Sequence, residues 1–314
     1  MFSKLKLFTG RANPALAKEV ARIADIPLGD ISLFKFSNDE SFAKINENVR
    51  GADVFILQPT TYPVNDNLME LLIMVDSIKR ASAKRITCII PYYAYARSDK
   101  KDQPRVPITA KLVADLLTVA GADRIVTLDL HADQIQGFFD IPVDHLSATP
   151  LFARYIKSLN YKDLVVVSPD SGGANRAREL AKRLDCSMAI GDKRRFGNDD
   201  KAELMNIIGE VKGKTAILFD DIVDTAGSLT KVANALQKNG AKEIFGAVAH
   251  GVLSGNAIEK IQQSAINKMI ITDSIELRNN KKKCKKIIQL SIADLLATVM
   301  KKIHIEESIS ILYR

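Results

Sequence analysis

The sequence predicts an α/β protein built mainly on parallel sheets, and two observations carry that prediction. Short apolar, β-branched segments recur along the whole chain, and each is followed by a stretch of helical periodicity. Strands alternating with helices need crossover connections, and those join parallel strands.

The strand segments are residues 53–57, 86–90, 125–128, 164–167, 215–219, 244–248 and 268–271, with a further short one at 287–290. Helical periodicity covers residues 67–81, 109–120, 173–184 and 228–239. Two of these helices end where glycine is expected just past the last turn, at Ala120-Gly121 and Asn239-Gly240. At 314 residues the chain has room for two domains. No Gly/Ser linker divides it, so the boundary is expected near residues 147–150, between Ile141-Pro142-Val143 and a helix starting at Leu151.

Composition narrows the class. With 46% hydrophobic and 26% charged residues the chain reads as a soluble globular protein. No apolar run approaches the roughly 18–20 residues of a membrane helix, so no membrane partner is expected. The start, MFSKLKLFTGR, lacks an apolar core followed by a small-residue cleavage site. Three scattered cysteines, Cys88, Cys186 and Cys284, have no metal-type spacing and suggest reduced thiols. Together these features predict a cytoplasmic location. The formal charge of +8 suits nucleic acid or a small polyphosphate equally. No helix-turn-helix, zinc finger or RNP-like aromatic sequence is present, so a nucleic-acid partner is not expected.

The segment Phe219-Asp220-Asp221-Ile222-Val223-Asp224-Thr225-Ala226-Gly227-Ser228 carries the strongest chemical signal. Ligands of an open parallel sheet bind beyond the carboxyl ends of its strands. Two acids leaving the strand there suit the vicinal hydroxyls of a sugar. The turn that follows leads into a helix, and its amides, its hydroxyls and the helix's positive end suit a phosphate. Gly227 allows close backbone approach.

This is the pattern of the loop that binds phosphoribosyl pyrophosphate (PRPP) in type I phosphoribosyltransferases and PRPP synthetases. Ser37–Ser41, residues 65–73 (NDNLMELLI), 91–102 (PYYAYARSDKKD), 129–139 (DLHADQIQGFF) and 167–176 (VSPDSGGANR) all resemble the PRPP synthetases specifically. The resemblance runs from about Leu7 to the C-terminus. It implies two phosphoribosyltransferase-type, Rossmann-like domains related by pseudo-two-fold symmetry, residues 1–146 and 147–301, with 302–314 returning to the first. It also implies pyrophosphate transfer from Mg²⁺-ATP to ribose 5-phosphate.

The same resemblance assigns roles. Asp220 and Asp221 hold the ribose hydroxyls, and Asp224, Thr225, Ala226, Gly227 and Ser228 hold the 5-phosphate. His131, beside Asp129, reads either as a structural histidine or as a contact to metal or phosphate; the resemblance makes it and Asp170 the Mg²⁺ ligands. Arg97-Ser98-Asp99-Lys100 reads as a charged loop, and by resemblance it lies at the nucleotide, with Ser98 where most relatives carry Gln. Lys193-Arg194-Arg195 reads as a second charged loop, and the resemblance makes Lys193 and Arg195 catalytic cations. Phe36, Asn38 and Glu40 would complete a neighbouring subunit's adenine pocket, implying at least a dimer and, by family habit, a hexamer. An allosteric site for phosphate and ADP would use Asn48, Arg50, Asp133, Gln136, Ser308 and Ser310. Asn48 and Asp133 replace small hydroxyl residues there, so weakened phosphate activation is expected. The turn at Phe196 lacks a basic residue that many relatives carry. Two other readings stay open: a phosphoribosyltransferase that consumes PRPP, and a non-catalytic regulatory subunit of a synthetase.

Overall fold

The computed structural model describes residues 4–195, 203–277 and 284–310. These fall into two compact units. One contains the chain up to Ser147, Ser274–Glu276 and the stretch from Ser291 onward; the other contains Ala148–Asp273 and Leu277–Leu290.

The first unit begins with β1 (Leu5–Thr9) and α1 (Pro14–Ala24). Asn13 starts α1 by accepting the Leu16 amide at 3.2 Å, Pro14 stands where its missing N–H costs nothing, and Asp25 ends the helix in a left-handed conformation. A hairpin follows, β2 (Ile31–Lys35) and β3 (Ser41–Ile45), then β4 (Asp53–Leu57), α2 (Val64–Arg80), β5 (Arg85–Ile90), α3 (Thr109–Ala120), β6 (Arg124–Leu128) and β7 (Val143–Leu146). The sheet order is β1-β4-β5-β6-β7, and every pairing in it is parallel. All five residues of β4 are buried. A strand covered on both faces reads as a continuous apolar run, which is why it was legible in the sequence. Its core joins Phe8, Val54 and Ile56 to Leu71, Met74 and Ile78 of α2 and Val113 and Leu117 of α3.

The second unit comprises α4 (Thr149–Ser158), β8 (Leu164–Ser168), α5 (Ala174–Leu184), β9 (Ser187–Arg195), β10 (Glu203–Ile208), β11 (Thr215–Val223), α6 (Gly227–Lys238), β12 (Glu243–Gly251), α7 (Ala257–Gln263), β13 (Lys268–Thr272) and β14 (Ile287–Leu290). Its sheet runs β10-β9-β8-β11-β12-β13-β14, parallel except for the β9–β10 pair. From β8 the chain crosses to β9 on one side; from β11 it crosses to β12 on the other. The adjacent pair β8–β11 is therefore the switch point of the sheet, where a crevice opens beyond the carboxyl ends of the strands. The last helix, α8 (Ala293–His304), belongs to the first unit and packs on α1.

Two expectations need correction. Asp220 and Asp221 do not leave the sheet after Phe219: β11 continues to Val223, because β12 is equally long and pairs with Asp220, Ile222 and Val223 through Val248, His250 and Gly251. Nor do Lys193, Arg194 and Arg195 begin a loop: their backbone ends β9, opposite Met205, Leu204 and Glu203 of β10. An antiparallel partner satisfies the backbone there whatever the side-chain charge. The turn at Phe196 lies outside the described residues, as do Lys281, Lys282 and Lys283.

Candidate active site

The crevice at β8–β11 brings together, among the described residues, the two acids, the turn into α6 and Arg176. Asp221 is buried and Asp220 partly so, and the Asp221 amide donates to Asp220 Oδ1 at 3.0 Å. Arg176, in the first turn of α5, places Nη1 3.1 Å from Asp221 Oδ1 and 3.7 Å from Asp220 Oδ1. Burial, then the charge of Asp221, pushes the Asp220 carboxyl well above the usual range, while Arg176 pulls it back. With Arg176 beside them, the two carboxyls stand together as candidate hydrogen-bond acceptors.

Beyond it the chain turns through Asp224, Thr225 and Ala226 into α6. Ala226 holds a left-handed conformation, φ 60°, that an alanine rarely adopts. It is buried, and its carbonyl accepts both the amide and the hydroxyl of Thr230, at 3.0 and 2.8 Å. Thr225 and Ser228 stay exposed at the mouth of the turn, next to the amino end of α6. The loop is braced from the segment after β12. The amides of Leu253 and Ser254 donate to the carbonyls of Val223 and Asp224, the Ser254 hydroxyl donates to the Asp224 carboxylate, and Lys260 Nζ donates to the Thr225 carbonyl at 3.2 Å. A Cβ on Gly227 would meet only Thr225 Oγ1, at 3.8 Å. The protein itself therefore makes no demand for glycine here.

Asp170 follows β8 and is exposed; its Oδ1 accepts the Gly173 amide at 3.2 Å, and its carbonyl accepts Ser168 Oγ at 2.7 Å. Gly173 is needed by the fold, since a Cβ there would lie 2.8 Å from Ser168 Oγ. Among the described residues no group of three His, Cys, Asp or Glu side chains converges as a protein-only metal cage.

In the first unit the candidate residues sit on three turns. Phe36, Asn38 and Glu40 form the tip of the β2–β3 hairpin: the Phe36 amide donates to the Glu40 carbonyl at 2.9 Å, and Asn38 Oδ1 accepts the Glu40 amide at 3.3 Å. Phe36 is 49% exposed and stacks edge-on against Phe34 and Phe42, so it is a presented ring and not a core residue. Arg97 and Lys100 are exposed beyond β5, with Asp99 half-buried; the Ser98 carbonyl accepts the Ala110 amide and its hydroxyl reaches Thr109, at the start of α3. His131 is exposed after β6, and the adjacent Leu130 amide donates to His145 Nε2 at 2.8 Å. Of the remaining candidates, Asn48 Oδ1 caps the Arg50 amide, Gln136 Nε2 donates to the Asp133 carbonyl, and Ser308 and Ser310 bond each other. Ser308 and Ser310 line a pocket of about 460 Å³ together with Arg85 and Arg124.

Comparison with known proteins places this arrangement. The N-terminal domain of ribose phosphate pyrophosphokinase matches residues 5–121, and a phosphoribosyl synthetase-associated domain matches residues 196–314. The ribose-phosphate pyrophosphokinase of Bacillus caldolyticus is 54% identical over 310 residues, covering 99% of this chain and 98% of that protein. The chain belongs to the ribose-phosphate pyrophosphokinase family. The ribose-phosphate pyrophosphokinase of Burkholderia pseudomallei is likewise 54% identical, over 98% of this chain and 97% of its own. The crystal structure of phosphoribosylpyrophosphate synthetase from Mycobacterium smegmatis matches with a TM-score of 0.92 at 44% identity, covering 97% of this chain and all of that one.

Four residues that brace the candidate site have no role in the sequence reading: Arg176, the last residue of the segment 167–176, Ser254 and Lys260 around the acids and the loop, and His145, which accepts the Leu130 amide beside His131. Each acts through a partner 15 to 45 positions away along the chain, a distance at which spacing gives no signal. His145 had no role in the sequence, yet its ring nitrogen receives the backbone of the turn that carries His131.

Proposed function

We propose that this chain synthesises PRPP, moving the β,γ-diphosphoryl group of ATP to ribose 5-phosphate and releasing AMP. The C1 hydroxyl oxygen attacks the β-phosphorus, the bond from that phosphorus to the α,β-bridging oxygen breaks, and AMP leaves with that oxygen. The hydroxyl proton goes to solvent. The observation that carries this reading is the juxtaposition of Asp220 and Asp221 with an anion-ready turn at the switch point of the sheet. The acids accept from the ribose hydroxyls. Thr225, Gly227 and Ser228 meet the 5-phosphate with amides, hydroxyls and the positive end of α6, and Asp224 fixes the turn through Ser254.

Such a transfer asks mainly for positioning and charge stabilisation. Lys193 and Arg195, carried on the end of β9, and Arg97 are assigned to the polyphosphate by resemblance. Phe36, Asn38 and Glu40 are assigned to adenine, with Ser98, Asp99 and Lys100 nearby. His131 in the first unit and Asp170 in the second, both exposed, are assigned by resemblance to a Mg²⁺, an ion that usually keeps water and substrate-phosphate ligands. When bound, the ion would neutralise charge on the transferring group.

Self-association is part of the proposal, with a dimer as the minimum and a hexamer as the family habit. The exposed Phe36 supports it, as do Leu112, Leu116 and Val119 on α3, which are 55, 39 and 79% exposed. No helix among the described residues is long and apolar enough to cross a membrane. The three cysteines are all unpaired, which suits the cytoplasm. Asn48 and Asp133 lead us to expect weak phosphate activation, since a carboxylate opposes an anion; strong saturable activation that Asp133→Ser leaves unchanged would contradict it.

The reaction is tested by incubating the protein with ATP, Mg²⁺ and ribose 5-phosphate and identifying products by mass spectrometry. AMP and PRPP should appear together and only with the sugar phosphate. PRPP consumption on adding a nucleobase would indicate a transferase, and no turnover under any condition would indicate a regulatory subunit.

A further inference from the structure

Arg176 stands where a helix tolerates a cation least. It lies in the first turn of α5, facing the positive end of the helix dipole, and that turn carries no acidic residue. Its partners come instead from the neighbouring strand: Asp221 Oδ1 at 3.1 Å and Asp220 Oδ1 at 3.7 Å. The approach of α5 to β11 is close enough that a Cβ on Gly173 would lie 4.0 Å from Asp220 Oδ1. The Arg176 side chain is only 20% exposed and that of Asp221 only 5%, so the interaction is poorly screened by water.

We propose that Arg176 is a positioning residue of the sugar site: reaching across from α5, it orients Asp221 and keeps both acids able to accept hydrogen bonds from the ribose hydroxyls. This rests on the assignment of Asp220 and Asp221 to the sugar. A protonated carboxyl donates where the hydroxyls need an acceptor, so a proton held by the pair competes with ribose binding. Two forces favour that proton, burial and the mutual repulsion of the acids; Arg176 is the cation that opposes them at Asp220. The surrounding elements also carry Asp170 after β8, Asp192 in β9, His250 in β12 and Asp224 in the turn, none of them a fixed cation; the side chains of Lys193, Arg194 and Arg195 at the end of β9 lie outside the described ones. Arg176 acts through the acids and has no part in the bonds that form or break.

The test compares Arg176→Gln, Arg176→Met and Arg176→Lys with the wild type, after circular dichroism and thermal melting identify the folded variants. KM for ribose 5-phosphate and KM for ATP are measured from pH 6 to 9. In either neutral variant the acidic limb of kcat/KM for ribose 5-phosphate should move up by about one pH unit, the lower end of what losing an opposite charge produces. KM for ribose 5-phosphate should rise about tenfold near neutral pH and fall back as pH increases, while KM for ATP stays within about twofold. Arg176→Lys keeps the charge without the planar fork, so its limb should stay near the wild-type position even if its KM rises. A merely structural role would lower kcat/KM equally in all variants without moving the limb, and that result would overturn the inference. If the wild type itself forms no AMP, the reading of the site fails instead, so the two failures are distinct.

Discussion

The imidazole Nδ1 of His304 lies 2.8 Å from the Asp53 carboxylate, joining the last turn of α8 to the start of β4 across 251 positions. The same carboxylate takes a two-pronged bond from Arg85, at 2.8 and 2.6 Å, and Arg85 also donates to the Ile303 carbonyl at 2.9 Å. Asp53 is 2% exposed, so its charge is tolerable only because these donors surround it. The cluster holds α8, and with it the stretch bearing Ser308 and Ser310, to the first sheet. Asp53→Ala should cost about 3 kcal/mol, the low end for breaking a buried pair, because Arg85 keeps some access to water. His304→Ala should cost about 1–2 kcal/mol. Urea midpoints check both; a wild-type midpoint for Asp53→Ala would contradict the cluster's role.

Gly227 separates folding from binding. Since a Cβ there meets nothing closer than 3.8 Å, Gly227→Ala should fold normally and gain up to about 1 kcal/mol, as glycine at a helical position usually does on replacement by alanine. On the proposed assignment, the added methyl would stand where the 5-phosphate approaches the backbone. KM for ribose 5-phosphate should therefore rise at least tenfold while the melting temperature holds or increases. A fall in both would place the need for glycine in the fold.

Asp220 makes stability depend on pH. Its carboxyl titrates well above the usual range in the folded chain, so the folded state binds the proton more tightly than the unfolded one. The stabilisation linked to that proton is complete below the unfolded value, about 3.9, and is lost as pH rises through the raised folded value. Asn cannot ionise, so Asp220→Asn should melt higher than wild type at pH 8, with the gap closing towards pH 4. Thermal melts across this range check the sign; a gap independent of pH would contradict it.

Burial raises two of the thiols. That of Cys88, inside β5, is pushed up to about 12, and that of the less buried Cys186 is raised as well. Because the thiolate is the reactive form, Cys88 should resist alkylation at pH 8 until the chain unfolds, and Cys186 should react more slowly than a free thiol. Mass spectrometry after native and denaturing labelling reads this; rapid native modification of Cys88 would contradict its place in the sheet.

Much of the fold was legible because buried parallel strands are uninterrupted apolar runs: β4 matches the sequence segment end to end, and α3 with its Gly121 cap is recovered to the residue. What stayed hidden was strand made of charged residues. Asp220–Val223 and Lys193–Arg195 look like loops, and only the equal length of β12 and the antiparallel β10 make them sheet. The β2–β3 hairpin was hidden too, its half-buried faces giving little contrast. In the candidate site, the acids and the proposed phosphate turn are marked in the sequence by their order along the chain. Arg176, Ser254, Lys260 and His145 did not, because their importance lies in what the fold brings beside them.

Transfer of the diphosphoryl group as one unit can be read by following ATP turnover with ribose 5-phosphate by ³¹P NMR. ATP signals should fall as AMP and a sugar-linked diphosphate rise one for one, with no ADP at any stage. ADP appearing with a singly phosphorylated sugar product would contradict it.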